Sequence, residues 1–189
     1  MVPSLILGFT GSLLLAGIAQ AELQLTPSLV EREGDGCKFK QLAFRDGEKT
    51  ITYLSPRGWS YSGSATQLTL HPPNKAQAEA SITRVPRSEP GQFDDETLKK
   101  LVAETVALVP KGSSNVTVES QEKNPLLINR KETFLIVLNY NLFGQAYNRS
   151  ILFLNREKEQ IRFELVCRSA DFKELEKAFL RSQYSWENL

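Results

Sequence analysis

The chain has 189 residues, with 23 Lys plus Arg, 22 Asp plus Glu and one His, for a net charge of +1. This balance excludes the basic footprint of a nucleic-acid binder, and no block of like charges reads as an interaction tail. The two cysteines, Cys37 and Cys167, stand far apart and outside any Cys-x-x-Cys motif, which argues against a zinc site or a redox-active pair.

Residues Met1 to Ala21 carry no charged side chain. Leu5-Ile6-Leu7-Gly8-Phe9 and Leu13-Leu14-Leu15-Ala16 form an apolar core that ends in Ala19-Gln20-Ala21, the small-x-small pattern of a signal-peptidase site. Cleavage is expected between Ala21 and Glu22, giving an exported protein, periplasmic or secreted. An N-terminal membrane anchor is the competing reading, because no Lys or Arg precedes the apolar core. Residues Glu22 to Gly36, with Thr26-Pro27-Ser28 and Glu31-Arg32-Glu33-Gly34-Asp35-Gly36, read as a flexible leader. A single domain over residues 37–189 is expected after it.

Short alternating segments follow. Lys38 to Phe44, Thr50 to Leu54, Gln67 to His71 and Ala78 to Val85 read as strands, stopped by Gly47, Pro56, Pro72-Pro73 and Pro86. The period then changes. Asp94 reads as an N-cap, Phe93 as a staple onto Leu98, and Leu98, Leu101, Val102, Thr105, Leu108 and Val109 as one helical face. Strands return at Asn115 to Ser120, Leu126 to Ile128 and Thr133 to Leu138. The last is apolar on both faces and is expected inside the sheet, covered from both sides. Ser150–Leu154 and Gln160–Cys167 read as a hairpin turning at Asn155 to Glu159. A closing helix is expected from Ser169 as N-cap, with Phe172, Leu175 and Phe179 on one face and Trp186 two turns further along.

This order, the Tyr53-Leu54-Ser55-Pro56-Arg57-Gly58-Trp59 turn and the Ser185-Trp186-Glu187 ending together resemble the PsbP-like domain family over about Lys49 to Trp186. The resemblance implies an α/β (α+β) fold, an antiparallel β-sheet sandwiched between helices. Members include lumenal subunits supporting the water-oxidising side of photosystem II, a Ran-binding nuclear import factor and bacterial periplasmic proteins of unknown role. The fold therefore does not fix a function, and the export signal argues against the nuclear role.

Catalytic chemistry is poorly represented. His71 is the only histidine, and the serines Ser60, Ser62 and Ser64 lack the second glycine of a nucleophile elbow. Asp94-Asp95-Glu96 is explained by a helix N-terminus. No catalytic, cofactor or metal residue is assigned. Cys37 and Cys167 are expected to form a disulfide in an oxidising compartment. Tyr140, Phe143 and Tyr147, in a segment from Asn139 to Asn148 that reads as a loop, are the candidate binding patch. The sequons at Asn115 and Asn148 matter only in a eukaryotic secretory pathway. The functional expectation is a non-enzymatic binding or accessory domain, with a protein partner in the envelope or at a membrane surface, no cofactor and no nucleic acid. A weak hydrolase using carboxylates and a purely structural envelope protein are the alternatives.

Overall fold

A computed structural model describes residues 22–34 and 36–188; the expected signal, Met1 to Ala21, lies outside them. The elements are β1 (Leu23–Gly34), β2 (Cys37–Asp46), β3 (Lys49–Tyr53), β4 (Ser60–Gly63), β5 (Gln67–His71), β6 (Glu79–Pro86), α1 (Asp95–Ala107), β7 (Ser114–Lys123), β8 (Thr133–Leu142), β9 (Gln145–Asn155), β10 (Glu159–Arg168), α2 (Ser169–Gln183) and β11 (Glu187–Asn188). All pairings are antiparallel. A four-stranded sheet has the order β1-β2-β3-β11, and a seven-stranded sheet the order β4-β5-β6-β10-β9-β8-β7.

Strand alternation divides the seven-stranded sheet between two cores. On one face, Phe134, Ile136, Leu138, Ile151 and Phe153 pack against Phe93, Leu98, Leu101 and Val102 of the α1 region. On the other, Leu135, Val137, Leu152, Leu154, Phe163 and Leu165 meet α2 and the four-stranded sheet. The fold is thus α+β, with the large sheet between helices, and β8 is buried on both faces as its composition requires. Asp94 caps α1 by accepting from the Thr97 amide at 2.8 Å, which holds its carboxyl below the usual range. Leu108, expected on the packed face, is instead the exposed C-cap.

The two segments that carry the family resemblance meet in space. Trp59 follows Gly58, whose φ of 79° suits a residue without Cβ, and stacks on Phe179 at 6.1 Å. Trp186 lies beyond the end of α2 rather than on it, and packs against Phe44, Tyr53 and Phe163 with ring centroids 5.3–5.9 Å away. Ser182 donates to the Phe179 carbonyl, so the buried Tyr53 hydroxyl donates to Ser182 Oγ at 2.7 Å; burial pushes the Tyr53 phenol upward. The Leu54 amide donates to Ser185 Oγ at 2.7 Å, and Glu187 pairs with Thr52.

Several expectations are corrected. Residues 23–34 are not a leader but β1. Leu23 and Leu25 are fully buried, and from Ser28 to Gly34 the strand forms a ladder with β2 in which most side chains are exposed. The expected disulfide is absent and both thiols are free. Cys37 is exposed opposite Gly34 in the small sheet, whereas Cys167 is buried in the large one, so their Cβ atoms cannot meet the narrow geometry of a bridge. Burial, then Asp171, pushes the Cys167 thiol up to about 12. Leu126 to Ile128 is no strand. Leu126 and Ile128 plug the core while Asn129 and Arg130, both at positive φ, turn the chain back so that Ile128 bridges Lys131. Ser169 is the first helical residue, and Arg168 occupies the cap position.

Candidate functional site

The Asn139–Asn148 segment is a continuous hairpin rather than a loop. β8 and β9 stay paired to Leu142 and Gln145, leaving Phe143-Gly144 as a two-residue turn. Both turn residues have positive φ, 50° and 75°, the geometry that matches strand twist and that Asn-Gly normally supplies. A bulky aromatic there is an outlier costing about 1 kcal/mol. Phe143 recovers nothing by burial, since it is 91% exposed.

The base of this hairpin is braced. Tyr140 is buried and stacks on half-buried Tyr147 at 5.9 Å with 14° between the rings. Burial raises the Tyr140 phenol, against the pull of Arg149. The Tyr147 hydroxyl donates to Gln77 Oε1 at 2.7 Å, and Arg168 Nε donates to the same oxygen at 2.6 Å. The three candidate residues therefore share one hairpin end but divide the work: two tyrosines stiffen it and one phenylalanine is presented.

On the opposite face of the same strands, Asn148 Nδ2 donates to Glu119 at 2.6 Å, and Asn139 Nδ2 reaches both Asn148 and Ser169 at 3.2 Å. Glu176 of α2 faces this group, and burial followed by repulsion from Glu119 pushes its carboxyl up to about 7. The remaining sequence candidates stay apart. His71 and Ser60 are cross-strand neighbours, both exposed, with no side-chain hydrogen bond among the described residues. Asp94 is engaged as a cap. Among the described residues no group of three or more His, Cys, Asp or Glu is arranged to hold a metal ion, and no helix is long and apolar enough to cross a membrane.

Sequence reasoning missed a charged cluster at the other end of β9. Arg84 approaches Glu22 at 2.6 Å and Glu159 at 3.9 Å, while Arg156 lies 2.7 Å from Glu159 and also pairs with Asp46. Burial raises the Glu159 carboxyl, and Arg156 opposes the rise. These residues border a cleft of about 400 Å³ between the ends of the two sheets, with Ile128 and Trp186 in its wall. No sequence signal joins positions so widely scattered.

No family model and no curated protein matches the chain. Among solved structures, the cyanobacterial PsbP of Synechocystis sp. PCC 6803 is similar at a TM-score of 0.50 and 12% identity, over 97% of this chain and 99% of that one. A Pseudomonas aeruginosa protein of unknown function is similar at a TM-score of 0.44 and 14% identity, over 84% and 96%. The fold is PsbP-like; at such identity the likeness extends to the fold and not to particular side chains.

Proposed function

We propose that this chain is an exported, non-catalytic accessory domain that docks on a protein partner through the tip of the β8–β9 hairpin. The observation that carries the reading is Phe143: a large apolar side chain, 91% exposed, held in a left-handed conformation that costs the fold and gains it nothing. Outliers of this kind concentrate where a side chain is presented for use. The tyrosine stack and the Gln77 brace reduce the entropy lost on docking, and a single exposed aromatic suits an anchor that fills a partner's apolar socket. Export rests on the apolar segment ending at Ala21, and a PsbP-like fold accords with an accessory role.

The test places a photo-crosslinking benzoylphenylalanine at position 143 in the organism of origin, with the same residue at Leu127, itself 55% exposed, as control. A discrete protein adduct from 143 alone is expected. Equal adducts from both positions, or none, would overturn the docking role, and adducts only to lipid would reassign the tip to a membrane surface. Mass spectrometry of the isolated protein should find Glu22 at its N-terminus; an intact Met1 would refute processing.

A further inference from the structure

The cleft at the far end of β9 has the size of a small-molecule site, about 400 Å³. Its wall combines basic and acidic side chains, and the way they pair sets its preference. Arg156 is ion-paired with Asp46 and Glu159, both mostly buried, although its Nη1 has no hydrogen-bond partner among the described residues. Arg84 differs in that its close partner is exposed. The Arg84 side chain is only 8% exposed, its Nε has no hydrogen-bond partner among the described residues, and its close partner is Glu22, which is 58% exposed. An unpaired guanidinium nitrogen in so buried a group is costly. Lys49 and Lys131 stand on the rim from different parts of the chain, and neither has an ion-pair partner among the described residues. The exposed Glu157 is the acid on this rim left without one.

We propose that this cleft binds a small organic carboxylate, with Arg84 as the buried anchor, Lys49 and Lys131 as rim contacts, and Glu22 as an internal stand-in that the ligand displaces. The choice of carboxylate follows from the pairing already present: Arg84 holds carboxylates, and one of the two sits exposed enough to exchange. Guanidinium presents its nitrogens in a planar fork that matches a carboxylate. Exchange replaces one charge-assisted pair with another and adds a partner for Nε and for the two lysines, so it is favourable without opening the core. The site is independent of the hairpin tip, which lies at the opposite end of β9.

The experiment is a titration with succinate at low ionic strength, followed by the Arg84 Nε–H and Trp186 indole resonances, with putrescine and inorganic phosphate as comparators. Saturable shifts with succinate at both reporters are expected, with phosphate weaker and putrescine without effect. The paired substitutions Lys49→Ala and Lys131→Ala lie on exposed positions and should weaken succinate by about tenfold, as expected for two lost charge-assisted contacts. Glu22→Ala should tighten it by about threefold, since the internal competitor is gone. The last effect separates ligand exchange from simple attraction to a basic rim. Absence of saturable shifts, binding of putrescine in place of succinate, phosphate binding as tightly as succinate, indifference to the lysine substitutions, or weaker binding by Glu22→Ala would each overturn the proposal.

Discussion

The two ends of β9 treat side-chain chemistry in opposite ways. At its start, beside the turn, an aromatic ring is held out in water by a backbone conformation that an aromatic residue does not favour. At its end, around Asn155 and the following turn, charged groups are drawn into partial burial and form a cluster with Asp46 of β2, Arg84 of β6 and Glu22 just before β1. The first end is costly locally and leaves the core untouched. The second is part of how the two sheets are joined, so its buried members Arg84, Arg156 and Glu159 cannot change without affecting the whole fold. An exposed docking tip can be separated from stability, whereas a buried cluster of interlocked charges cannot.

Breaking the charged end should give the largest effect. Arg84→Ala leaves the buried Glu159 short of a cation and should cost about 3 kcal/mol in urea unfolding; a loss below about 1 kcal/mol would mean that the cluster is effectively solvated. An intermediate effect belongs to the middle of the strand, where Asn148 helps hold Glu119 near Glu176. The Glu176 pKa is raised in the folded state from 4.5 to about 7, so its contribution is fully present below pH 4.5 and is lost as pH climbs through 7. Stability should therefore fall across that window, and Glu176→Gln should flatten the fall by about 1 kcal/mol after allowance for solvent screening. An unchanged pH profile would show that neither burial nor Glu119 raises the Glu176 carboxyl in the folded state. The smallest stability effect, and the sharpest contrast, is expected at the tip. Phe143→Asn should stabilise the fold by about 0.5–1 kcal/mol, because Asn accepts a left-handed φ, while losing the ability of the unlabelled protein to compete away the position-143 adduct. Loss of both stability and docking would place Phe143 in the structural category with Arg84.

How much could be read in the sequence follows the range of the interactions involved. The cap at Asp94, the two-faced run Thr133–Leu138 and the Ser150–Cys167 hairpin are legible because their signals lie within a few residues of one another. β1 is not. Thr26-Pro27 interrupts its alternation, and its outer half is mostly exposed, so only pairing with β2 makes it a strand. Cys37 and Cys167 suggested a bridge because count and compartment are sequence properties, but the distance between two sheets is not. Leu126 to Ile128 looked like a strand because a plug and a strand both need apolar residues. The tip residues are legible by their composition, although Tyr140 is buried and Tyr147 half-buried, leaving Phe143 as the fully exposed member. The Arg84 cluster draws on four separate segments, and no period or motif connects them.

The Tyr53–Ser182 hydrogen bond joins positions 129 residues apart. With Trp186 and Glu187 it fastens the small sheet to a segment made long after β1 to β3 have left the ribosome. Loop closure over such a span is slow compared with local helix and hairpin formation. The early strands consequently spend the whole of synthesis without the residues that complete their core. For a chain expected to be threaded outward before it folds, this arrangement acts as a timer: the topology itself delays the closed state until the last segment arrives, and truncation before Ser182 should leave a translocated chain that never becomes resistant to protease.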